Sequence, residues 1–390
     1  MSKALVASRR FSVFILLGLV SLFADITYEG ARSVVGPYFK YLDAALVVAA
    51  AVSLGDLVSY TARLFGGFIA HLARSSRAYW GLVFLGYAVN LVAVPLLAFA
   101  GNWQLAFALV ILERAGKGVR APARDAILAE VSQGIGRGLA YSIHEALDQV
   151  GAVAGPLAVG IAMSVGDYGY REAFLALSVP AAISMLLLLA SILVYPTLEE
   201  ARAPSTGHGL PRRFWVFAVS AMASMAGFIH WIHASYRLSY LGPSYIALYY
   251  SLAMLVDALA ALVLGMSYDR IGRSVVLVVP LVAGASTILI AWEAGPVYFA
   301  IAWGIAMGGF ESIYRSVVAD DLSPGLRGLG FGILYFMMGV GWSLGNLSLS
   351  YMKDPGSQTL FVVLVESLSL IMLGLYLKQG KRFSNPTRSL

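Results

Sequence analysis

The sequence predicts an all-α polytopic membrane protein, twelve transmembrane helices built as two pseudo-symmetric six-helix bundles, and three observations carry that reading. The 390 residues are 59% hydrophobic and only 12% charged, with a mean hydropathy of +0.78, more apolar surface than one water-soluble core can hide. Apolar runs of the ~20 residues needed to cross ~30 Å of hydrocarbon recur from end to end, and at ~30 residues per helix plus turn the chain holds about a dozen. Lys and Arg sit on alternate loops: about 21 of the 27 fall on one side, in the N-terminus (Lys3, Arg9, Arg10), every second loop and the tail (Lys378, Lys381, Arg382, Arg388), the bias of cytoplasmic segments. Both termini are therefore expected in the cytoplasm, with an even number of crossings of the cytoplasmic (inner) membrane. An outer-membrane barrel is excluded, because runs such as 181–194 and 275–282 are continuous where barrel strands alternate. The same placement assigns the net charge of +6 and the pI near 9.4 to the bilayer surface and not to nucleic acid. With no cysteine in the chain, disulfides, thiolate metal sites and thiol chemistry are absent. Scarce Asn and Gln, with Arg above Lys, follow a trend reported in some thermophile families.

Apolar runs and turn residues place helices near 11–37, 43–72, 79–100, 103–122, 138–164, 171–195, 214–240, 245–268, 274–292, 297–317, 328–351 and 358–378. The first resembles a signal peptide in following a basic stretch. Its apolar run continues to Pro37, carries Asp25 and Glu29 and has no convincing cleavage site, so it is expected to be retained as helix 1. The one long polar interruption, 196–213, is rich in Pro, Gly and charge and reads as a cytoplasmic linker between halves 1–195 and 214–390.

The halves repeat each other at a period near 190 residues. Gly67, His71 and Arg74 after helix 2 parallel Gly265, Asp269 and Arg273 after helix 8. Arg124, Glu130, Ser132, Gly134, Arg137 and the Gly151/Gly155 pair parallel Arg315, Asp321, Ser323, Gly325, Arg327 and the Gly341/Gly345 pair, with one gap. More loosely, Asp25, Tyr28 and Arg32 share their spacing with His230, His233 and Arg237. On these residues the sequence resembles the major facilitator superfamily over essentially its whole length. Gly265-Met-Ser-Tyr-Asp269-Arg270-Ile-Gly272-Arg273 is similar to that family's G-x-x-x-D-R-x-G-R loop, and the first-half copy departs from it, with His71 at the acidic position and Leu72 at the first basic one. Arg114-Ala-Gly-Lys117-Gly118 resembles the R-x-x-Q-G motif of proton-driven members, with Lys for Gln, and Gly151 to Gly160 resembles the antiporter motif G-x-x-x-G-P-x-x-G-G without its first terminal glycine, at Val159. The resemblance implies alternating access about a midplane site, a helix 1 that faces the central cavity, and gating by His71, Arg74, Asp269, Arg270, Arg273 and Arg315. Asp269 is expected to pair with Arg273 or Arg315.

A charge at the bilayer centre costs about 2.5–3.5 kcal/mol on insertion scales, so intramembrane polar residues are the candidates for function. Asp25 lies fourteen residues past Phe11, ~21 Å into the core at ~1.5 Å per residue. Glu29 and Arg32 follow at i+4 and i+7, so all three share a face with Tyr28 nearby. Helix 5 carries His144, Glu145 and Asp148 about half-way across, with Arg114 on helix 4. Desolvation disfavours an ionised carboxylate there and a neighbouring Arg favours it, the balance a proton carrier requires. The bland readings are static ion pairs and interhelical hydrogen bonds. Adjacent Glu113 and Arg114 point about 100° apart and are expected to serve different partners. Asp56 and Arg63, seven apart, read as a structural pair or gate element. Asp257 and Glu311 either line the cavity or pack against Arg237 or Arg315. Glycines at i and i+4 allow close helix packing in any bundle.

No nucleotide-binding or redox-cofactor motif occurs, so no cofactor is expected and an ion gradient or the solute's own gradient supplies the energy. The reading favoured is a monomeric secondary transporter that exports a small organic solute in exchange for protons, Asp25 being the switch for which a proton and a cationic substrate group compete. The mechanistic alternative is a divalent-metal transporter using Asp25, Glu29, His230 and His233. A non-transporting receptor or intramembrane enzyme is the alternative from another class, and no nucleophile and base at recognisable spacing support catalysis.

Overall fold

The computed structural model describes residues 3–73, 75–132, 137–165, 169–195 and 209–383, and among them the regular structure is helical throughout. The helices are α1 (Lys3–Tyr41), α2 (Leu46–Ala51), α3 (Ser53–Ala73), α4 (Ser76–Leu96), α5 (Trp103–Val131), α6 (Arg137–Val165), α7 (Tyr170–Ala176), α8 (Ser178–Val194), α9 (Arg212–Gly227), α10 (Trp231–Arg237), α11 (Pro243–Ile271), α12 (Val278–Ala291), α13 (Pro296–Asp321), α14 (Pro324–Tyr351) and α15 (Pro355–Phe383). Joined across their short breaks, these give eleven helical segments long and apolar enough to cross a membrane among the described residues. The helix missing from that set is α5, which is long enough but carries Glu113, Arg114, Lys117, Arg120, Arg124 and Asp125. Its low hydropathy marks a helix that hides charge inside protein, not one that faces lipid.

One compact unit comprises Met1–Arg202 together with Ser235–Ser251; the other comprises Ala203–Ala234 and Leu252–Leu390. In the first, α1 is the axial element, packed on α6, α8, α5 and α4. Its helix continues through Pro37 to Tyr41, beyond the expected end, where the Tyr38 hydroxyl donates to the carbonyls of Leu97 and Ala100 at 2.9 and 3.0 Å. Bonds that tie Ser235–Ser251 to this unit include Tyr236 to the Ala44 carbonyl (2.7 Å), Tyr250 to Glu29 (2.7 Å) and Ser251 to the Val153 carbonyl (2.9 Å).

The repeat reappears as packing. In the first unit a Cβ on Gly151 would strike the Leu22 carbonyl oxygen and the Asp25 Cβ, and one on Gly155 would strike the Ile26 carbonyl. In the second, Gly341 and Gly345 meet the carbonyls of Met222 and Ala226 in the same way. Thus α6 lies on α1, and α14 on α9, with backbone against backbone, an approach only glycine permits.

Helix 7 departs from expectation. It is interrupted: α9 ends at Gly227, Phe228 to His230 are not helical, and α10 resumes at Trp231. Backbone groups released inside a bilayer must find partners in protein, and here four side chains supply them. Thr287 donates to the Gly227 carbonyl (2.6 Å) and accepts from Ile229 N–H (2.9 Å). Asn346 accepts from His230 N–H (2.8 Å) and donates to the Phe228 carbonyl (3.2 Å). Trp342 and Trp303 donate to the carbonyls of Phe228 and Ile229 at 2.9 and 3.0 Å. At the start of α15, Asp354 accepts from the Ser357 hydroxyl and from Ser357 and Gly356 N–H, bonds that hold its carboxyl below the usual carboxylate range.

Gly155→Ala and Gly345→Ala should each destabilise the protein by about 1–3 kcal/mol, the cost of overpacking against a backbone that cannot yield. Thermal melting in detergent checks this, and Gly81→Ala, where a Cβ would meet nothing within 4 Å, should melt like the parent.

Candidate functional site

The first unit encloses a network of charge. On α5 the cations Arg114, Lys117, Arg120 and Arg124 recur at spacings of three and four and so share one face; α1 meets it with Asp25, Tyr28, Glu29 and Arg32. Glu29 is the hub: its carboxylate takes Arg32 at 2.8 Å, Lys117 at 3.7 Å and the Tyr250 hydroxyl at 2.7 Å. Arg114 pairs with Glu113 at 3.2 Å and with Asp56 at 3.6 Å, and Asn90 donates to Glu113 at 2.7 Å. The Glu113–Arg114 contact corrects the expectation that these neighbours serve different partners. With both side chains buried, flexing of the two long chains brings the charges together more cheaply than leaving Glu113 without a cation.

Tyr28 is the aromatic floor of the cluster. Lys117 Nζ stands 4.1 Å over its ring, with the guanidinium carbons of Arg32 and Arg120 each at 5.9 Å, and Arg120 also stacks 3.7 Å over Tyr87. Several polar atoms here are buried without a hydrogen-bond partner: Asp25 Oδ1, Nε and Nη2 of Arg32, and Nε and Nη1 of Arg120. Asp25 has Asp148, Lys117, Glu29 and Arg120 as its charged neighbours.

A second layer lies beside it. Arg124 holds Asp125 (2.9 Å) and reaches Ser21 (3.4 Å), Ser21 meets His144 Nε2 (3.3 Å), and His144 faces Asp148 at 3.8 Å. Of the two helix 5 acids, Asp148 is the one among the charged neighbours of Asp25, and Glu145 is exposed.

His230 and His233 belong to the helix 7 break in the second unit, where His230 Nδ1 accepts from Ile232 N–H (3.1 Å) and His233 Nδ1 bonds the Asn346 amide oxygen (3.1 Å). Among the described residues no group of three or more His, Cys, Asp or Glu is gathered to hold a metal ion, so the metal reading built on Asp25, Glu29, His230 and His233 is not favoured. Arg237 and Glu311 are half-buried. The Asp269 pair is corrected: Asp269 and Arg270 are exposed, Arg315 donates to the Tyr335 hydroxyl (2.7 Å), and Arg273 pairs with buried Asp321 (2.9 Å), which also takes Arg213 (3.3 Å). The turn after α11 thus delivers Arg273 to the C-terminal end of α13. The His71 side chain and Arg74 lie outside the described residues.

Lys117, which stands at the Gln position of the R-x-x-Q-G-like motif, is in the site, and Tyr250, Asn90 and Arg120 complete it with no motif pointing to them. The three-and-four spacing of cations on α5 was a usable signal for Arg120; nothing local distinguishes Tyr250 from its many aromatic neighbours.

Long apolar helices that enclose charge, with one helix broken and resealed by side chains, are the construction of a secondary transporter. The chain belongs to the major facilitator superfamily, whose family model matches residues 9–346. It is 35% identical over 388 residues to an uncharacterised protein of Mycobacterium tuberculosis, covering 95% of this chain and 93% of that one. It is 24% identical over 388 residues to an uncharacterised MFS-type transporter of Methanocaldococcus jannaschii, covering 93% of each. Among solved structures, the nucleoside transporter NupG superposes with a TM-score of 0.72 at 14% identity, covering 94% of this chain and 99% of that one. A POT peptide transporter in complex with alafosfalin gives 0.73 at 16% identity, covering 98% of each. At these identities the superpositions establish the fold.

Two outcomes follow from the pairing. Glu29→Ala should cost about 3–5 kcal/mol by stranding the largely enclosed Arg32, and Glu29→Ala combined with Arg32→Leu should cost less than the single change, as a double-mutant cycle of melting would show. Asp321→Asn, which weakens the pairs of a buried carboxylate with two partly exposed arginines, should cost about 1–3 kcal/mol while Asp269→Asn stays within about 0.5 kcal/mol of the parent.

Proposed function

We propose that this transporter works in the cytoplasmic membrane as a monomer with both termini in the cytoplasm, and exports a small organic solute in exchange for protons. The observation that carries the reading is Asp25: buried, with an oxygen that accepts no hydrogen bond, and set among Lys117, Arg120, Glu29 and Asp148. Desolvation and the two acids disfavour its charge, while the two cations favour it. Opposed influences of this kind let a site gain and lose a proton as its exposure changes. His144 and Asp148 form a route for that proton toward Ser21 and Arg124. Alternating access would expose the site to each side in turn.

The cationic solute group expected from sequence meets two resident cations here. The unpartnered N–H groups of Arg32 and Arg120 support a different preference, for a solute that presents a hydrogen-bond acceptor such as a carboxylate or phosphate, with an apolar or aromatic part able to stack on Tyr28.

Proteoliposomes with an imposed pH gradient test the mechanism in a screen of organic anions, zwitterions and cations. Asp25→Asn should fold and bind solute but lose gradient-driven exchange by at least about 10²-fold, with residual binding that no longer varies with pH. Wild-type exchange rate and pH dependence in that variant would make Asp25 a structural residue and overturn the proposal.

A further inference from the structure

The second unit holds a buried acid that the charged site does not use. Glu366 lies about midway along α15, only 6% exposed, and neither carboxylate oxygen has a hydrogen-bond partner. Its place is built by the register of α15 on α9. Ser369 bonds Ser220 (3.0 Å), and one turn further along the same antiparallel seam Glu366 faces Ser224. Two glycines clear room for it: a Cβ on Gly227 would strike Glu366 Oε1, and one on Gly284 would lie 3.0 Å from its Cγ. The groups facing the carboxyl are therefore Ser224 and Gly227 from α9, Gly284 from α12 and Tyr314 from α13. Ser224 and Tyr314 are themselves fully buried, and the Ser224 hydroxyl stands between the Glu366 carboxyl and the Tyr314 hydroxyl. Among the described residues no Lys, Arg or His forms an ion pair with Glu366 or stands among its charged neighbours.

A niche shaped by two glycines for one carboxyl, lined with hydroxyl oxygens and lacking a counter-charge, is the donor set of a small cation. An ionised carboxylate alone in a dry bundle is costly, and a bound proton or Na⁺ removes that cost. We propose that Glu366, with Ser224 and Tyr314, forms a binding site for one small monovalent cation, a proton or Na⁺, inside the second unit. The site adjoins the break in helix 7, since Gly227 is both the wall against Glu366 and the last residue of α9. Occupancy therefore acts on the segment whose carbonyl Thr287 secures. This inference does not rest on the Asp25 mechanism and survives its failure.

The test uses purified full-length protein in liposomes with two probes. One is equilibrium binding of ²²Na⁺ at about pH 8. The other is infrared difference spectra of the carboxyl stretch between about pH 5 and pH 9, the range in which a perturbed carboxyl titrates. The expected result is either saturable Na⁺ binding or a titrating carboxyl band, lost in Glu366→Gln and kept in Asp25→Asn. Na⁺ binding identifies one occupant and the band the other. Ser224→Ala should shift the Na⁺ dissociation constant about tenfold, or the band midpoint by about one pH unit, and serves as the probe if Glu366→Gln does not fold. No Na⁺ binding together with no titrating band assigned to Glu366 would make it a permanently neutral structural acid and overturn the proposal. So would a signal unchanged in Glu366→Gln or in Ser224→Ala.

Discussion

The contact between α1 and α6 governs the geometry of the candidate site. Gly151 and Gly155 press on the carbonyls of Leu22 and Ile26, so the two axes approach to where side chains of ordinary size could not fit between them. That closeness is what brings Asp148 and His144 of α6 beside Asp25 and Ser21 of α1. An adjoining face of α1 receives α5 with its row of cations. A larger residue at either glycine would move acid away from acid and cation away from Tyr28, altering every electrostatic relation in the cluster at once.

The second unit uses the same packing for a different end. Gly341 and Gly345 of α14 press on α9 as their counterparts press on α1, and the next residue, Asn346, reaches the backbone where α9 stops. An unbroken helix satisfies its own carbonyls, whereas this one hands those of Gly227, Phe228 and Ile229 to Thr287, Asn346, Trp342 and Trp303. Such a break is stable only where partners are already in place, and it leaves a segment whose bonding can be exchanged without melting a helix. The two units thus diverge in chemistry on one scaffold: a dense ion network in the first, a resealed break and an isolated carboxyl in the second.

How charge is compensated distinguishes the two. In the first unit Glu29, Glu113 and Asp56 find cations within 4 Å, an arrangement that tolerates burial because each charge lies in a neighbour's field. Glu366 has no such neighbour. Asp25 is intermediate, near cations but not bonded to them, which suits a residue whose charge changes during work.

Length, hydropathy and the alternation of basic loops determined the class of protein and its helix count, since those quantities follow from the thickness of hydrocarbon and need no knowledge of neighbours. The spacing of Asp25, Glu29 and Arg32 likewise placed them on one face of one helix, because the period of a helix is local. Contacts between helices were beyond that reach. The Glu113–Arg114 pair, the choice of Asp321 over Asp269 as partner of Arg273, the bond from Tyr250 to Glu29 and the niche around Glu366 each join residues distant in sequence or depend on how side chains bend once surrounded. The break in helix 7 was hidden for the same reason: Gly227 to His230 read as helix by composition, and only the arrival of Thr287, Trp303, Trp342 and Asn346 from other helices makes the unwound backbone the more stable state.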